Sequence, residues 1–287
     1  MKTRIITAIV AICILVAILV FSATPVLPIA AAICALIAVF EITGCVGIRR
    51  KHLLSITTYL FSVAIFGLVS VHFLEYLKIE HFTPILCAII YAYIFMMFAF
   101  TMFSKGEIQF SQAAELVALT IYVLIGFISI VLLRHLVPMG KYIYLLIFIG
   151  AWSTDTGAYF LGVFFGKHKL IPEVSPKKTV EGAFGGILGC IVGYVVFAVI
   201  LDLFFEVSVN YIPLILLAIV ISVISQCGDL IASYVKREGG IKDYGSIFPG
   251  HGGMMDRFDS IIAVAPVILI IVLLLPEDFQ IFQMITK

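Results

Sequence analysis

Apolar residues run through the chain in long, nearly unbroken stretches, parted by short polar segments. At 1.5 Å per residue, about 20 apolar residues cross a ~30 Å hydrocarbon core as a helix. Nine such stretches are expected, at 5–22, 26–43, 53–73, 83–103, 113–133, 142–164, 180–201, 211–235 and 258–275. A transmembrane barrel would show short alternating segments instead. The pattern predicts an all-α, polytopic integral membrane protein with about nine transmembrane helices. Lys2 and Arg4 precede the first stretch as they would in a signal peptide. That stretch is long, and Ser22-Ala23-Thr24 is a weak cleavage signal, so it is read as a retained helix.

Composition narrows the class further. Of 287 residues, 63% are hydrophobic and only 12% charged, where soluble domains carry about a quarter charged. A water-soluble enzyme, a disordered chain and a secreted disulfide scaffold are excluded. The six cysteines lie scattered in or beside apolar stretches, with no CxxC pair, and read as small packing residues. The net charge of +1 gives no bulk signal for nucleic acid.

Where the charges sit says more than their sum. With the N-terminus in the cytoplasm, the inner segments hold Lys2, Arg4, Arg49, Arg50, Lys51, Lys105, Lys167, Lys169, Lys177, Lys178, Lys236, Arg237, Lys242 and Arg257. Only Lys78, Arg134, Lys141 and Lys287 fall outside, so fourteen of the 18 basic residues are inner. That asymmetry orients the chain with its N-terminus inside and C-terminus outside. Two inner loops, about 165–180 and 236–257, each hold four of these basic residues. Glycine follows the same course: 16 of 22 fall within 150–193 and 228–253. Glycine admits close helix packing or close approach to a ligand, and beside charged loops it points toward a site. Three regions are expected: 1–110, an N-terminal transmembrane scaffold; 111–175, a middle transmembrane region and candidate dimer interface; and 176–287, a C-terminal catalytic region.

Acids inside apolar helices are the first candidates for chemistry. Asp155 and Asp229 lie within spans six and eight, and an acid there costs about 2.5–3.5 kcal/mol on insertion scales. Such a residue faces a cavity, an ion or a basic partner. Asp256 and Asp259 are three apart and share a helix face at the start of span nine. With Asp229 they form a candidate site for a hard cation. Mg²⁺ commonly takes one or two carboxylates and completes its shell with phosphate and water. In the other loop, Ser175 followed by Pro176 suits an N-cap with proline at the first helical position. Lys177 and Lys178 would then sit at a helix N-terminus, which favours anions. Cations for phosphates together with carboxylates for a metal suit phosphoryl or nucleotidyl transfer. GxxxxGK[ST] and HExxH are absent, and His251 has no His or Cys partner nearby in sequence.

One long signature unites these residues. It runs Ser233-x-x-Lys236-Arg237-x4-Lys242-Asp243-x-Gly245-x-x-Phe248-Pro249-x-His251-Gly252-Gly253-x-x-Asp256-Arg257-x-Asp259. It resembles the signature of the phosphatidate cytidylyltransferases, or CDP-diacylglycerol synthases. Asp155-Thr156-Gly157, Phe165-Gly166-Lys167 and Ser175-Pro176-Lys177-Lys178-Thr179-x-Glu181-Gly182 also resemble that family. The close likeness covers roughly 150–260. One departure is Ala232, where the family's pattern often has Glu after Gly-Asp-Leu.

The resemblance implies that CTP and phosphatidic acid give CDP-diacylglycerol and pyrophosphate, with Mg²⁺ and room for a second cation. It implies a homodimer in the cytoplasmic (inner) membrane, a cavity open to the cytoplasm and lipid entering from within the bilayer. On this likeness Asp229 and Asp256 hold the metal, with Asp259 and Asp243 as further candidates. Lys177, Lys178, Lys236, Arg237, Lys242 and Arg257 neutralise phosphates, Ser175 and Thr179 donate hydrogen bonds to them, and His251 steadies the pyrophosphate. Asp155 joins the substrate-binding group. Two alternatives stand beside this reading: a CTP-dependent synthase acting on an archaeal-type ether-lipid phosphate, and an ion-coupled transporter using the buried acids.

Overall fold

The computed structural model describes residues 2–73, 78–276 and 279–284; the side chains of residues 2–5, 8, 72, 73 and 79 lie outside that description. The side chains of Lys2 and Arg4, and the whole of Lys287, therefore lie outside it. The elements follow the apolar stretches closely. They are α1 (Lys2–Val20), α2 (Val26–Cys45), α3 (His52–Phe73), α4 (Ile79–Phe103), α5 (Phe110–His135), a one-turn α6 (Gly140–Ile143) and α7 (Leu145–Phe165). Then come β1 (Lys169–Ile171), β2 (Ser175–Thr179), α8 (Val180–Phe205), β3 (Val207–Val209), α9 (Tyr211–Glu238), α10 (Met255–Leu274) and β4 (Phe282–Met284). The protein is an all-α polytopic membrane protein. Among the described residues, seven helices are long and apolar enough to span: α2, α3, α4, α5, α8, α9 and α10. In α7 the run Ser153-Thr154-Asp155-Thr156 dilutes the apolar character.

The chain forms two compact units, Met1–Ile128 with Glu238–Arg257, and Ser129–Arg237 with Phe258–Lys287. In the first, α2 meets α3 where Thr43 Oγ1 and the Tyr59 hydroxyl lie 3.2 Å apart. Between α3 and α4 the rings of Phe61 and Tyr93 stack with centroids 4.0 Å apart. Hydroxyls inside these apolar helices return to the carbonyl four residues back, as at Thr57, Thr58, Ser62 and Thr101. That return satisfies a polar group where lipid offers no partner. After α2 the chain turns, and the Arg49 guanidinium lies over the Phe40 ring and donates to Phe40 O at 2.8 Å. Lys51 pairs with Glu107 at 2.7 Å, which holds the exposed Glu107 carboxyl below its ordinary range.

In the second unit α7 and α8 pack along much of their length. A Cβ on Gly157 would meet the carbonyl oxygen of Gly185, and one on Gly189 would meet that of Ser153. Side chains are excluded there by backbone, so the helices touch at van der Waals distance. Gly162, Gly182, Gly186 and Gly193 extend the same seam. The glycine density of 150–193 therefore serves helix packing. Tyr194, fully buried, donates to Leu146 O at 2.9 Å. Gln226 on α9 donates to Ala183 O on α8 at 3.2 Å. Ser260 on α10 donates to Ser225 O on α9 at 3.2 Å. Two small antiparallel pairs complete the unit, β1 with β2 and β3 with β4.

The segment before α8 departs from expectation. Ser175 is not an N-cap and Pro176 is not a helical N1 residue; both belong to β2, and Lys177 and Lys178 precede the helix rather than open it. The cap is Thr179, whose Oγ1 accepts from Gly182 N at 3.1 Å. An edge strand tolerates Pro176 because its missing N–H falls outside the ladder. Lys236 and Arg237, expected in a loop, form the last turn of α9, where cations complement the helix dipole. Arg257, expected in the same loop, lies in the first turn of α10.

Candidate active site

In the second unit three acids come from three helices: Asp155 of α7, Asp229 of α9 and Asp259 of α10. Asp259 lies in the field of both Asp229 and Asp155, and of the Lys236 ammonium. Its Oδ1 accepts from the backbone of Ser260 at 2.8 Å, which fixes the carboxyl at the helix start. Lys236 follows Asp229 by seven residues, two turns along one face of α9. Gly228 makes room for this approach, since a Cβ there would lie 2.6 Å from Ala263 Cβ and 3.1 Å from Asp259 O.

Lys178 enters this cluster from β2. Its Nζ is 2.7 Å from Asp229 Oδ2 and donates to Gln226 O at 3.3 Å. Both side chains of the pair are about two-thirds to three-quarters covered. Asp229 thus has the basic partner that an acid in an apolar helix needs, and it is a residue the sequence had placed with the phosphates. Ser233 Oγ reaches Asp229 Oδ1 at 3.5 Å. Lys177 is exposed on β2 and Ser175 half-buried beside it. The hairpin that carries them is held from α8. Glu181 accepts from the backbone N–H of Lys167 and His168 and meets His168 Nδ1 at 2.6 Å. Thr179, buried, uses its hydroxyl oxygen as the α8 cap.

The first unit holds the glycine-rich loop before α10. His251 N donates to Phe248 O at 2.8 Å, closing a turn with Pro249 second and Gly250 third, the latter at φ +79°. Gly252, at φ +86°, pairs its carbonyl with Phe248 N. Asp256 Oδ2 accepts from Tyr244 N and Gly253 N, both at 2.9 Å. One carboxylate oxygen therefore ties the two ends of the loop together. Lys242 and Asp243 are exposed on the loop, Arg257 is exposed after it, and Arg237 is exposed at the end of α9. His251 is half-buried, with Nδ1 covered and unpartnered among the described residues.

Glu41 of α2 was missed by the sequence reading. It is 3% exposed, and it accepts from Met254 N at 2.9 Å through Oε1 and from Met255 N at 2.8 Å through Oε2. Gly245 and Gly253 face it so closely that a Cβ on either would strike its carboxylate. The signal was present: Glu41 is an acid in an apolar stretch, as Asp155 and Asp229 are.

The geometry thus gathers Asp155, Asp229, Asp259, Lys178 and Lys236 in one unit. It gathers Asp256 with the loop of Lys242, Asp243 and His251 in the other. Asp256 and Asp259 share the first turns of α10. Among the described residues, no three His, Cys, Asp or Glu side chains are grouped so as to hold a metal ion by themselves.

A cytidylyltransferase family model matches residues 2–275. Phosphatidate cytidylyltransferase of Staphylococcus epidermidis is 41% identical over 179 residues, 62% of this chain and 66% of that protein. The Bacillus subtilis phosphatidate cytidylyltransferase is 39% identical over 173 residues, 60% and 63% of the two chains. The Staphylococcus aureus protein of the same name is 39% identical over 181 residues, 62% and 66%. The chain spans just under two thirds of the length of these curated relatives.

Proposed function

This chain belongs to the cytidylyltransferase family, and from that premise we propose that it transfers the cytidylyl group of CTP to phosphatidic acid. The products are CDP-diacylglycerol and pyrophosphate. The observation that carries the reading is the Lys178–Asp229 ion pair beside Asp259, which lies in the field of Asp229, Asp155 and Lys236, in a chain otherwise poor in charge. Acids beside cations in a low-dielectric setting suit a reaction whose reactants are all phosphates.

An oxygen of the lipid phosphate attacks the α-phosphorus of CTP. The bond from that phosphorus to the bridging oxygen breaks, and pyrophosphate leaves with the electron pair. A phosphate monoester is mostly dianionic at pH 7, with a second pKa of about 6. No strong general base is needed, so the work of the protein is charge neutralisation and alignment. Lys178 and Lys236 stand beside the acids, and Lys177, Arg237, Lys242 and Arg257 supply further cations for the triphosphate and lipid head group. Ser175 offers a hydroxyl donor from β2, and His251 would steady the pyrophosphate.

The acids are of the kind Mg²⁺ takes. Asp229 and Asp259 in the second unit offer hard oxygens, as does Asp256 in the first, and the ion commonly takes one or two carboxylates and completes its shell with substrate phosphate and water. Bound there, Mg²⁺ would neutralise phosphate charge and orient the triphosphate. The reading includes an inner-membrane location, a site facing the cytoplasm and a homodimer through 111–175. Trp152, Tyr159 and Phe160 of α7 are exposed apolar residues in that stretch.

The test is a turnover assay on detergent-purified full-length protein with α-labelled CTP, phosphatidic acid and Mg²⁺, each omitted in turn. Label entering the organic phase only when all three are present is the expected result. Folded protein that labels neither phosphatidic acid nor an ether-lipid phosphate overturns the reading.

A further inference from the structure

Glu41 is out of place as mere scaffold. It lies near the end of α2, more than 200 residues from its partners in sequence. Each carboxylate oxygen takes one backbone N–H, from Met254 and Met255, the residues that lead into α10. Hydrogen bonds to charged groups contribute about 1.5–3 kcal/mol each. Such spending in a buried apolar setting holds one short segment, residues 253–255. Immediately beyond it stands Asp256, whose Oδ2 closes the loop onto Tyr244 and Gly253. Two carboxylates from two helices thus hold four backbone N–H groups, and the loop they close carries Lys242, Asp243 and His251. Gly245 and Gly253 have no room for a side chain because Glu41 occupies it.

We propose that Glu41 is a positioning residue for the transfer reaction: by gripping the 254–255 backbone it sets Asp256 and the 242–252 loop for catalysis. The proposal rests on the functional reading above. A displacement of about 1 Å at such a site lowers turnover on the order of a hundredfold. Lys178 and Lys236 lie outside this loop and keep their place, so the loss falls on kcat more than on KM.

The experiment compares the full-length parent with Glu41→Gln, Glu41→Ala and Gly253→Ala. Hydrogen exchange of peptides over 242–257, thermal unfolding, and kcat and KM for both substrates are measured on each. Exchange over 244–256 should rise at least tenfold in Glu41→Ala while α7 and α8 exchange as in the parent. The kcat should fall at least tenfold with each KM within about threefold. Glu41→Gln keeps one acceptor oxygen and should recover part of the kcat. Gly253→Ala, whose methyl meets Glu41, should copy Glu41→Ala, and the double variant should cost no more than the worse single one. Should Glu41→Ala fail to fold, Glu41→Gln and Gly253→Ala decide the matter. Unchanged exchange over 244–256 overturns the grip. Altered exchange with parental kcat, or exchange that rises throughout the chain together with the loss of kcat, reduces Glu41 to a structural residue and overturns the proposal. A parent without turnover sinks the functional reading instead, and the exchange arm still reports on the grip.

Discussion

At Asp256 an alanine would remove two things together: the acceptor shared by Tyr244 and Gly253, and a negative charge one turn before Asp259. Asparagine separates them, because its carbonyl oxygen can still accept both N–H groups. Asp256→Ala is expected to abolish turnover while expression and oligomeric state persist. Asp256→Asn is expected to keep slow hydrogen exchange over 244–253 yet lose about 100-fold or more in kcat, some 2.7 kcal/mol. An Asp256→Asn variant with near-parental kcat would sink the charge-dependent role. Lys178→Ala removes the partner of Asp229 and, on the proposed function, a cation for phosphate. Its apparent KM for CTP or lipid should rise roughly tenfold to a hundredfold, as a lost charge-assisted hydrogen bond implies. Unchanged KM and kcat would remove Lys178 from the site. The acids at 155, 229, 256 and 259 were legible in the sequence because charge is rare in this chain. Their hydrogen-bond partners were not. Nothing local to Asp256 says that its oxygen closes a loop, and nothing near Glu41 says which backbone it holds.

Helices in this chain are fixed by apolar length, so among the described residues the long ones fall close to the sequence reading, seven of them apolar enough to span where nine were expected. Their ends are set by short-range chemistry that hydropathy does not see. The start of α8 is the instructive case. Ser175-Pro176 has the form of a helix opening, but Thr179 has the better cap because its hydroxyl reaches Gly182 N. Residues before it pair with Lys169–Ile171 instead. Thr179→Ala should destabilise by about 1 kcal/mol, read as a lower midpoint of thermal unfolding in detergent; an unchanged midpoint would count against the cap. The α7–α8 seam is a stiffer test. Gly157→Val places three carbons where Gly185 O already lies. Overpacking of this kind costs about 1–3 kcal/mol, and the midpoint should fall by several degrees more than for Thr179→Ala. If Gly157→Val is as stable as the parent, the seam is looser than described.

Orientation belongs to the whole molecule, and the charge count bears on it directly. In a cysteine-free background, Glu173→Cys between β1 and β2 should react with an impermeant maleimide from the cytoplasmic side. Ser208→Cys in β3 should react only from the other side. The reverse pattern would invert the topology and put the acidic cluster at the opposite face. The bond between Glu41 and the start of α10 also sets a schedule for synthesis. At about 5–20 residues per second, the ribosome finishes α2 some 10–40 s before it makes Met254 and Met255. Through that interval α2 carries an acid in a bilayer without its acceptor's partners. Any chain that stops short of residue 254 keeps it in that condition for good. Premature termination anywhere between the second helix and residue 254 would therefore leave a defect in that helix, and a cell's membrane proteases could recognise an unfinished chain at a point far upstream of the break.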